Sequence, residues 1–319
     1  MKKEFSICGL TLKNYGKIQD YVKILDTETK IPVTIINGKN EGKTVLITAG
    51  IHGGEYPCIR TAIELARDIN PEIVNGQIII IHPVNMQAFK DKSAGIVPED
   101  GKNINRVFPG DKNGTISDKI AYVITHEFQD KADFYFDMHG GDLHEELHPY
   151  VYYPGICEDE ICNRSKEIAK IFNVDYMVKS NATSGAYNSA AIRGIASILI
   201  ERGGCGICRR EDVEKYKKDM IIALRGLGVL EGDVLRSEQS PIEITNVKYI
   251  DSLKNGCLEM FVKAGERIVQ GQKLYEVIDL FGNVIDTYYA EFQGIVLYNT
   301  VSLAINKGES IIAYGELNL

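Results

Sequence analysis

The stretch Thr44-Val45-Leu46-Ile47-Thr48-Ala49-Gly50-Ile51-His52-Gly53-Gly54-Glu55 decides the fold. Its first six residues form an apolar, β-branched run that stops at Gly50. Residues 57–70 follow with Ile59, Ala62, Ile63, Ala66 and Ile69 at the spacing of one helical face. The pattern is strand, loop, helix, and it repeats. Ile78 to Ile81 is a continuous apolar run suited to burial on both faces, and it ends at His82-Pro83. A long polar loop then runs to Gly114. Ser117 can cap a helix reaching about Lys131, with Ile120, Ala121, Val123, Ile124 and Phe128 as its apolar stripe. Phe134 to Met138 is the next strand, Glu160 to Phe172 the next helix, Ile198 to Ile200 a further strand and Asp212 to Leu227 the last helix. This rhythm predicts an α/β, doubly wound domain over residues 1–235, in which 1–42 form a β-rich N-terminal extension. After Glu231-Gly232 and Pro241, helical periodicity gives way to short β-rich runs between Gly turns. Residues 236–319 therefore read as a small C-terminal all-β module, a barrel or sandwich, with a weak internal repeat between 256–278 and 294–314.

Composition narrows the function classes. The chain has 319 residues and a net charge of −8, with Lys and Arg scattered among acids, so it offers no electrostatic footprint for nucleic acid or an anionic membrane surface. No segment reaches about 18 apolar residues and the N-terminus has no apolar run of signal-peptide length, so the expected location is cytoplasmic. Seven cysteines in a chain of this length predict reduced thiols rather than a disulfide framework. Cys205-Gly206-Ile207-Cys208 has the spacing of a redox or zinc pair, but no second pair of matching spacing accompanies it.

The residues that carry chemistry follow strand ends, where the carboxyl edge of an open α/β sheet forms a crevice. His52 and Glu55 sit three residues apart in a glycine turn, and His139 closes the Phe134 to Met138 strand. Two imidazoles and one carboxylate leave zinc an open position, the composition of a catalytic site. Glu201 follows a buried strand and is the candidate general base for a zinc-bound water. Asp137, on the same side of its strand as His139, can accept the second ring proton of that histidine. Taken singly, a histidine near a turn is more often a hydrogen-bonding or surface group than a ligand, and an acid followed by glycine can simply end a strand at the solvent. It is the coincidence of three strand ends that points to one site. Asn103-Ile104-Asn105-Arg106-Val107-Phe108-Pro109-Gly110 adds a guanidinium suited to a substrate carboxylate, or equally to a salt bridge that pins the loop. His144 and His148 are close enough in sequence to line the mouth of the site, while His82 and His126 read as structural.

Four blocks occur in order: His52-Gly53-Gly54-Glu55, Pro98-Glu99-Asp100-Gly101-Lys102-Asn103-Ile104-Asn105-Arg106, Asp137-Met138-His139 and Ile200-Glu201-Arg202-Gly203-Gly204. In these the sequence resembles the succinylglutamate desuccinylase and aspartoacylase family of the zinc carboxypeptidase clan, over roughly Thr44 to Gly204 and more loosely to the C-terminus. The resemblance implies a mixed sheet of zinc-carboxypeptidase type and one zinc ion per chain on His52, Glu55 and His139. It also implies Glu201 as the acid/base, and Asn105 with Arg106 on a substrate carboxylate or neighbouring polar group. The reaction it implies is hydrolysis of the amide of a small N-acylated amino acid or related amine. A carboxypeptidase acting on short peptides would use the same metal site, and a non-catalytic metal binder is the reading from another class.

There is one departure. Relatives with the Pro98 to Arg106 loop usually carry an Arg three residues before that proline, where it helps polarise the scissile carbonyl; this chain has Gly95. Either Lys90 or Lys92 substitutes, or the substrate differs, or zinc alone suffices. The C-terminal module also carries phrases similar to biotinyl or lipoyl carrier folds, but the hairpin of Phe281 to Asp286 has no Lys to modify. The module is better read as a lid or a homo-oligomer contact.

Overall fold

Four consecutive isoleucines, Ile78 to Ile81, fit only where both faces of a strand are covered. In the computed structural model they lie inside a nine-stranded sheet and none of them is exposed. Residues 4–234 and 239–317 are described. In chain order the nine strands are β1 (Gly16–Lys23), β2 (Lys30–Asn37), β3 (Asn40–Ala49), β4 (Asn75–Ile81), β5 (Phe134–His139), β6 (Tyr150–Pro154), β7 (Tyr176–Ser180), β8 (Ala196–Glu201) and β9 (Ile242–Ile244). Across the sheet they run β9-β7-β6-β8-β5-β3-β4-β2-β1. The central β8, β5, β3 and β4 are parallel, while β6 joins β8 antiparallel and β2 joins β4 antiparallel. The sheet is therefore mixed.

Alternation along the central strands divides the core between the two faces. Val45, Ile47 and Ala49 with Phe134, Phe136 and Met138 meet the apolar sides of α1 (Tyr56–Asp68), α4 (Asp159–Ala169) and α6 (Arg210–Gly226). Leu46 and Tyr135 face the other way, toward α3 (Ile116–Val123) and α5 (Ala186–Ile192). The supposed N-terminal extension supplies β1 and β2, so most of it is the antiparallel edge of the main sheet; Phe5–Ile7 and Leu10–Leu12 form a separate small hairpin.

The long polar loop after β4 contains α2 (Met86–Asp91), whose N-terminus is capped by Asn85 Oδ1 accepting the Ala88 N–H at 3.0 Å. The cap of α3 is Thr115, not Ser117: Asp118 Oδ2 accepts the Thr115 N–H at 2.9 Å, and Ser117 lies in the first turn. The helix then widens through Ile124–Phe128 and tightens over Gln129–Lys131. Reduced thiols are not found throughout, because the turn entering α4 brings Cys157 and Cys162 together as a disulfide.

Ile242–Ile244 falls in the segment assigned by sequence to the C-terminal module, yet it is β9, paired parallel with β7 at the edge of the main sheet. The β-rich remainder forms two sheets over a core that includes Leu258, Leu274, Val277, Val296, Ile312 and Tyr314. One sheet holds Val247–Asp251, Arg267–Ile268, Gly294–Thr300 and Ser310–Glu316; the other holds Gly256–Met260, Lys273–Ile278, Val284–Tyr289 and Ala304–Ile305. The weak repeat is visible as two copies of a long strand, a two-residue strand and a long strand. Glu145–Leu147, from the loop after β5, pairs antiparallel with Gly294–Thr300 and stitches the module to the main sheet.

Candidate metal centre and substrate cavity

The register of the sheet sets the site. His139 at the end of β5 lies opposite Glu201 at the end of β8, and Ala49 at the end of β3 lies opposite Met138. The chain leaves β3 through Gly50, whose φ of +71° suits glycine. At Gly53 a Cβ would lie 2.3 Å from Phe89 N and 2.4 Å from Ala88 C, so only glycine lets this turn lie against α2. That turn presents His52 and leaves Glu55 as the residue just before α1.

Three ligand-type groups converge. His52 Nδ1 is 2.6 Å from Glu55 Oε1, and His139 Nδ1 is 3.1 Å from Glu55 Oε2. Suitable atoms of His52, Glu55 and His139 all lie within 4.8 Å of one another, and this is the grouping among the described residues that could hold a metal ion. The far side of each ring faces an acceptor. His139 Nε2 lies 3.2 Å from Asp137 Oδ1. His52 Nε2 lies 3.1 Å from Asn103 Oδ1, whose identity as oxygen is fixed because it also accepts the Asn105 N–H at 2.8 Å. The Asn103 contact draws the His52 proton to Nε2 and turns its Nδ1 lone pair toward the Glu55 carboxylate, and Asp137 is near enough to favour the same arrangement in His139. Lone pairs facing a buried carboxylate require a proton or a cation between them. Glu55 Oε2, Asp137 Oδ2, His139 Nε2 and Glu201 Oε2 are all buried without a hydrogen-bond partner of good geometry. This donor set of two nitrogens and a carboxylate fits a divalent cation.

The surroundings tune these groups. Burial raises the pKa of Glu55, but the His139 and His52 rings outweigh it and hold the carboxyl below the ordinary range. Burial pushes Glu201 up, against the pull of His139 and with the help of Glu55 and Asp137. Thr48 Oγ1 donates to Asp137 Oδ1 at 2.9 Å, so the Tyr135 hydroxyl, 2.5 Å from Thr48 Oγ1, must donate to it in turn. From α6, the Tyr216 hydroxyl lies 2.8 Å from the Ile200 carbonyl and accepts the His139 N–H at 3.1 Å, which ties the ends of β8 and β5 together.

These groups open on a cavity of ≈ 520 Å³. Asn105 Oδ1 accepts the Ala186 N–H at 2.9 Å, and its Nδ2 has no partner among the described residues. Arg106 lines the cavity, exposed, and makes no ion pair among the described residues; Nη1 reaches only the Asn105 carbonyl, at 3.3 Å. The loop-pinning salt bridge is therefore absent there. Gly95 lines the cavity beside the His52 ring, whereas Lys90 and Lys92 do not line it, so neither lysine replaces an arginine at that point. His144 and His148 also lie outside the lining; His148 pairs instead with Asp175 at 2.8 Å. Cys205 and Cys208 are free thiols, and burial pushes both of them up.

The cavity wall also holds residues that motif reading missed. Tyr150, Tyr152, Tyr187, Tyr249 and Tyr298 line it, with Tyr152 and Tyr249 hydroxyls 3.0 Å apart across the boundary with the C-terminal module. Tyr150 and Tyr152 are alternate residues on one strand, a period-two signal present in the sequence; Tyr249 and Tyr298 reach the site only through the tertiary fold.

The family model for the succinylglutamate desuccinylase/aspartoacylase catalytic domain matches residues 41–227, more than half of the chain. The chain belongs to that family of deacylases and is, as a class, an amide hydrolase. Among curated relatives, the N-alpha-acetyl-L-2,4-diaminobutyric acid deacetylase of Halomonas elongata is 29% identical over 297 residues, spanning 90% of this chain and 86% of the relative. Among solved structures, the product-bound ectoine utilization protein EutE (DoeB) of Ruegeria pomeroyi superposes with a TM-score of 0.87 at 26% identity, covering 96% of this chain and 97% of that one. A succinylglutamate desuccinylase/aspartoacylase of Rhodobacter sphaeroides gives 0.85 at 25% identity over 96% and 97%. Among the described residues no helix is long and apolar enough to cross a membrane.

Proposed function

We propose that this protein is a zinc-dependent deacylase that hydrolyses the amide bond of a small N-acylated amino acid. His52, Glu55 and His139 hold the metal, and Glu201 moves the proton. The observation that carries the reading is the convergence of two Nδ1 atoms on one buried carboxylate at the carboxyl edge of the sheet, with Glu201 in register beside His139. Bound there, zinc would supply a Lewis acid for the scissile carbonyl and an acidified water.

The remaining work belongs to side chains of this chain. Asn103 holds the Nε2 proton of His52, and Asp137, 3.2 Å from His139 Nε2, orients that ring, so that each imidazole can turn Nδ1 to the metal. Glu201, raised by burial, is poised to take a proton from the attacking water and deliver it to the leaving nitrogen. Arg106 pairs with the substrate carboxylate, and the free Nδ2 of Asn105 donates beside it.

The Halomonas relative directs the choice of substrates toward N-acetylated diamino acids. The test is amine release by the zinc-loaded protein from N-acetylated amino acids and from dipeptides. Expected are turnover of the N-acetyl amino acids, loss of it on chelation, and recovery with zinc. Release of amine from dipeptides alone would replace the deacylase reading with a peptidase one.

A further inference from the structure

The cavity has more acid than the deacylase reading uses. Glu55, Asp142, Glu145, Glu201 and Asp251 all line it, against Arg106 as the one Lys or Arg in its wall. Glu55 is matched by two imidazoles and Glu201 has a catalytic task. Asp142 Oδ1 accepts the His144 N–H at 2.8 Å. Glu145 has no such employment: its carboxylate makes no hydrogen bond or ion pair among the described residues. Its backbone, however, is firmly held. It opens the short strand that stitches the two parts of the molecule, opposite Thr300, and its carbonyl accepts the Cys205 N–H at 2.9 Å.

Burial, with Glu201, Asp142 and Glu55 nearby, pushes the Glu145 carboxyl well above the carboxylate range against the pull of His139. The same cavity carries Tyr249, Tyr298 and Asp251 on its C-terminal wall, aromatic and acidic groups of the kind that receive an ammonium. Independently, Asn105, 6% exposed in the same wall, has a side-chain nitrogen with no partner among the described residues, a donor open to a ligand.

We propose that Glu145, assisted by Asp251 across the seam with the C-terminal module, is the specificity-determining acid of this cavity and receives a positively charged amino group on the side chain of the substrate. The inference rests on the deacylase reading and deepens it: Arg106 takes the carboxylate pole of an N-acyl diamino acid and Glu145 the ammonium pole. An acidic side chain, as in N-acetylaspartate, adds one more negative group to a wall crowded with carboxyls and is rejected. A neutral side chain leaves the acids unpaired and is disfavoured.

The experiment compares kcat/KM of the zinc-loaded protein for N-acetyl-2,4-diaminobutyrate, its neutral isostere N-acetylnorvaline, and N-acetylaspartate. The expected order is cationic, then neutral, then acidic, with roughly tenfold or more separating the first two, the range expected when a charged group gains its partner. Glu145→Gln should cut that ratio about tenfold, chiefly through KM for the cationic substrate; Glu145→Asp should restore part of it, and Asp251→Asn should lower it less. Because each ratio is read on one preparation, partial loss of folded protein cancels. Equal turnover of the cationic and neutral substrates by the unaltered protein, or a ratio untouched by Glu145→Gln, overturns this inference and leaves the deacylase reading standing. Absence of turnover for every N-acyl amino acid overturns the deacylase reading itself.

Discussion

Glu201 and Arg202 are consecutive residues at the end of one strand and face different problems. Glu201 looks into the cavity; Arg202 is 4% exposed and donates from Nη2 to Asp219 Oδ2 at 2.8 Å and to the Asn173 carbonyl at 3.3 Å, which anchors α6 to the strand end. Glu201→Gln keeps the shape and removes the titrating oxygen. The expected outcome is a kcat lower by about 100-fold to 10,000-fold with a full equivalent of zinc retained, measured by turnover together with metal analysis. Unchanged turnover with zinc in place would remove Glu201 from the role of base. Arg202→Met should leave Asp219 buried without its ion-pair partner and cost about 3–5 kcal/mol, read by denaturant unfolding. The three ligand-type residues and Glu201 are legible in the sequence because each follows an apolar β-run at a place where a core has no use for it. Asn103 is not, since its role depends on which face of the His52 ring the Asn103 loop meets, and Glu145 is not, since no sequence pattern pairs its short strand with Gly294–Thr300 or places it in the cavity wall.

At the scale of elements, the Asp100 carboxylate ties the loop that bears Asn103, Asn105 and Arg106 to the start of α3, beside the Lys102–Asp118 ion pair at 2.6 Å. Asp100 Oδ2 accepts the Ser117 N–H at 2.9 Å and the Thr115 hydroxyl at 2.6 Å, while Oδ1 accepts the Ser117 hydroxyl and the Lys102 N–H. The start of α3 is therefore tied to the loop of the proposed substrate residues, an arrangement that favours a negative group at a helix N-terminus. Asp100→Ala should cost about 1–2 kcal/mol of stability, in the range of a lost cap. It should raise KM more than it lowers kcat, since the loop loosens while the metal centre is untouched; steady-state kinetics beside thermal unfolding would show this. An equal fall in kcat with KM unchanged would mean that the loop acts on the chemistry rather than on binding. The same region shows why helix starts are hard to place from sequence: Thr115, Ser117 and Asp118 are all competent caps, and the choice of Thr115 follows from Asp100 occupying Ser117. β1, β2 and β9 were missed as members of the main sheet for a related reason. They are antiparallel or edge strands outside the strand-helix-strand rhythm, and only their pairing partners reveal where they belong.

For the whole molecule, a change from strand-helix alternation to Gly-punctuated β-runs was readable along the chain, but not how closely the two parts are joined. β9 closes one edge of the main sheet immediately before the C-terminal module begins. The strand Glu145–Leu147 leaves the loop after His139 to pair with Gly294–Thr300, and the His148 N–H donates to the Leu297 carbonyl at 2.8 Å. Ile295 and Leu297 belong to the same buried cluster as Tyr150 and Val178 of the main sheet, so apolar core as well as backbone pairing crosses the seam. Exposing that seam would strip water-excluded side chains and unpair strand edges in both parts at once, and neither part has a spare surface to cover them. We therefore expect one cooperative thermal transition in calorimetry, with the calorimetric and van't Hoff enthalpies equal, although the chain is longer than most two-state domains. Zinc should move that single transition upward as a unit, since binding to the native form alone stabilises by RT ln(1 + [L]/Kd), about 2.7 kcal/mol at a free concentration of 100 Kd. Two resolved transitions, only one of them shifted by zinc, would show that the module unfolds independently, and a cavity wall built partly from Tyr249, Asp251 and Tyr298 would then be able to open while the metal centre stays folded.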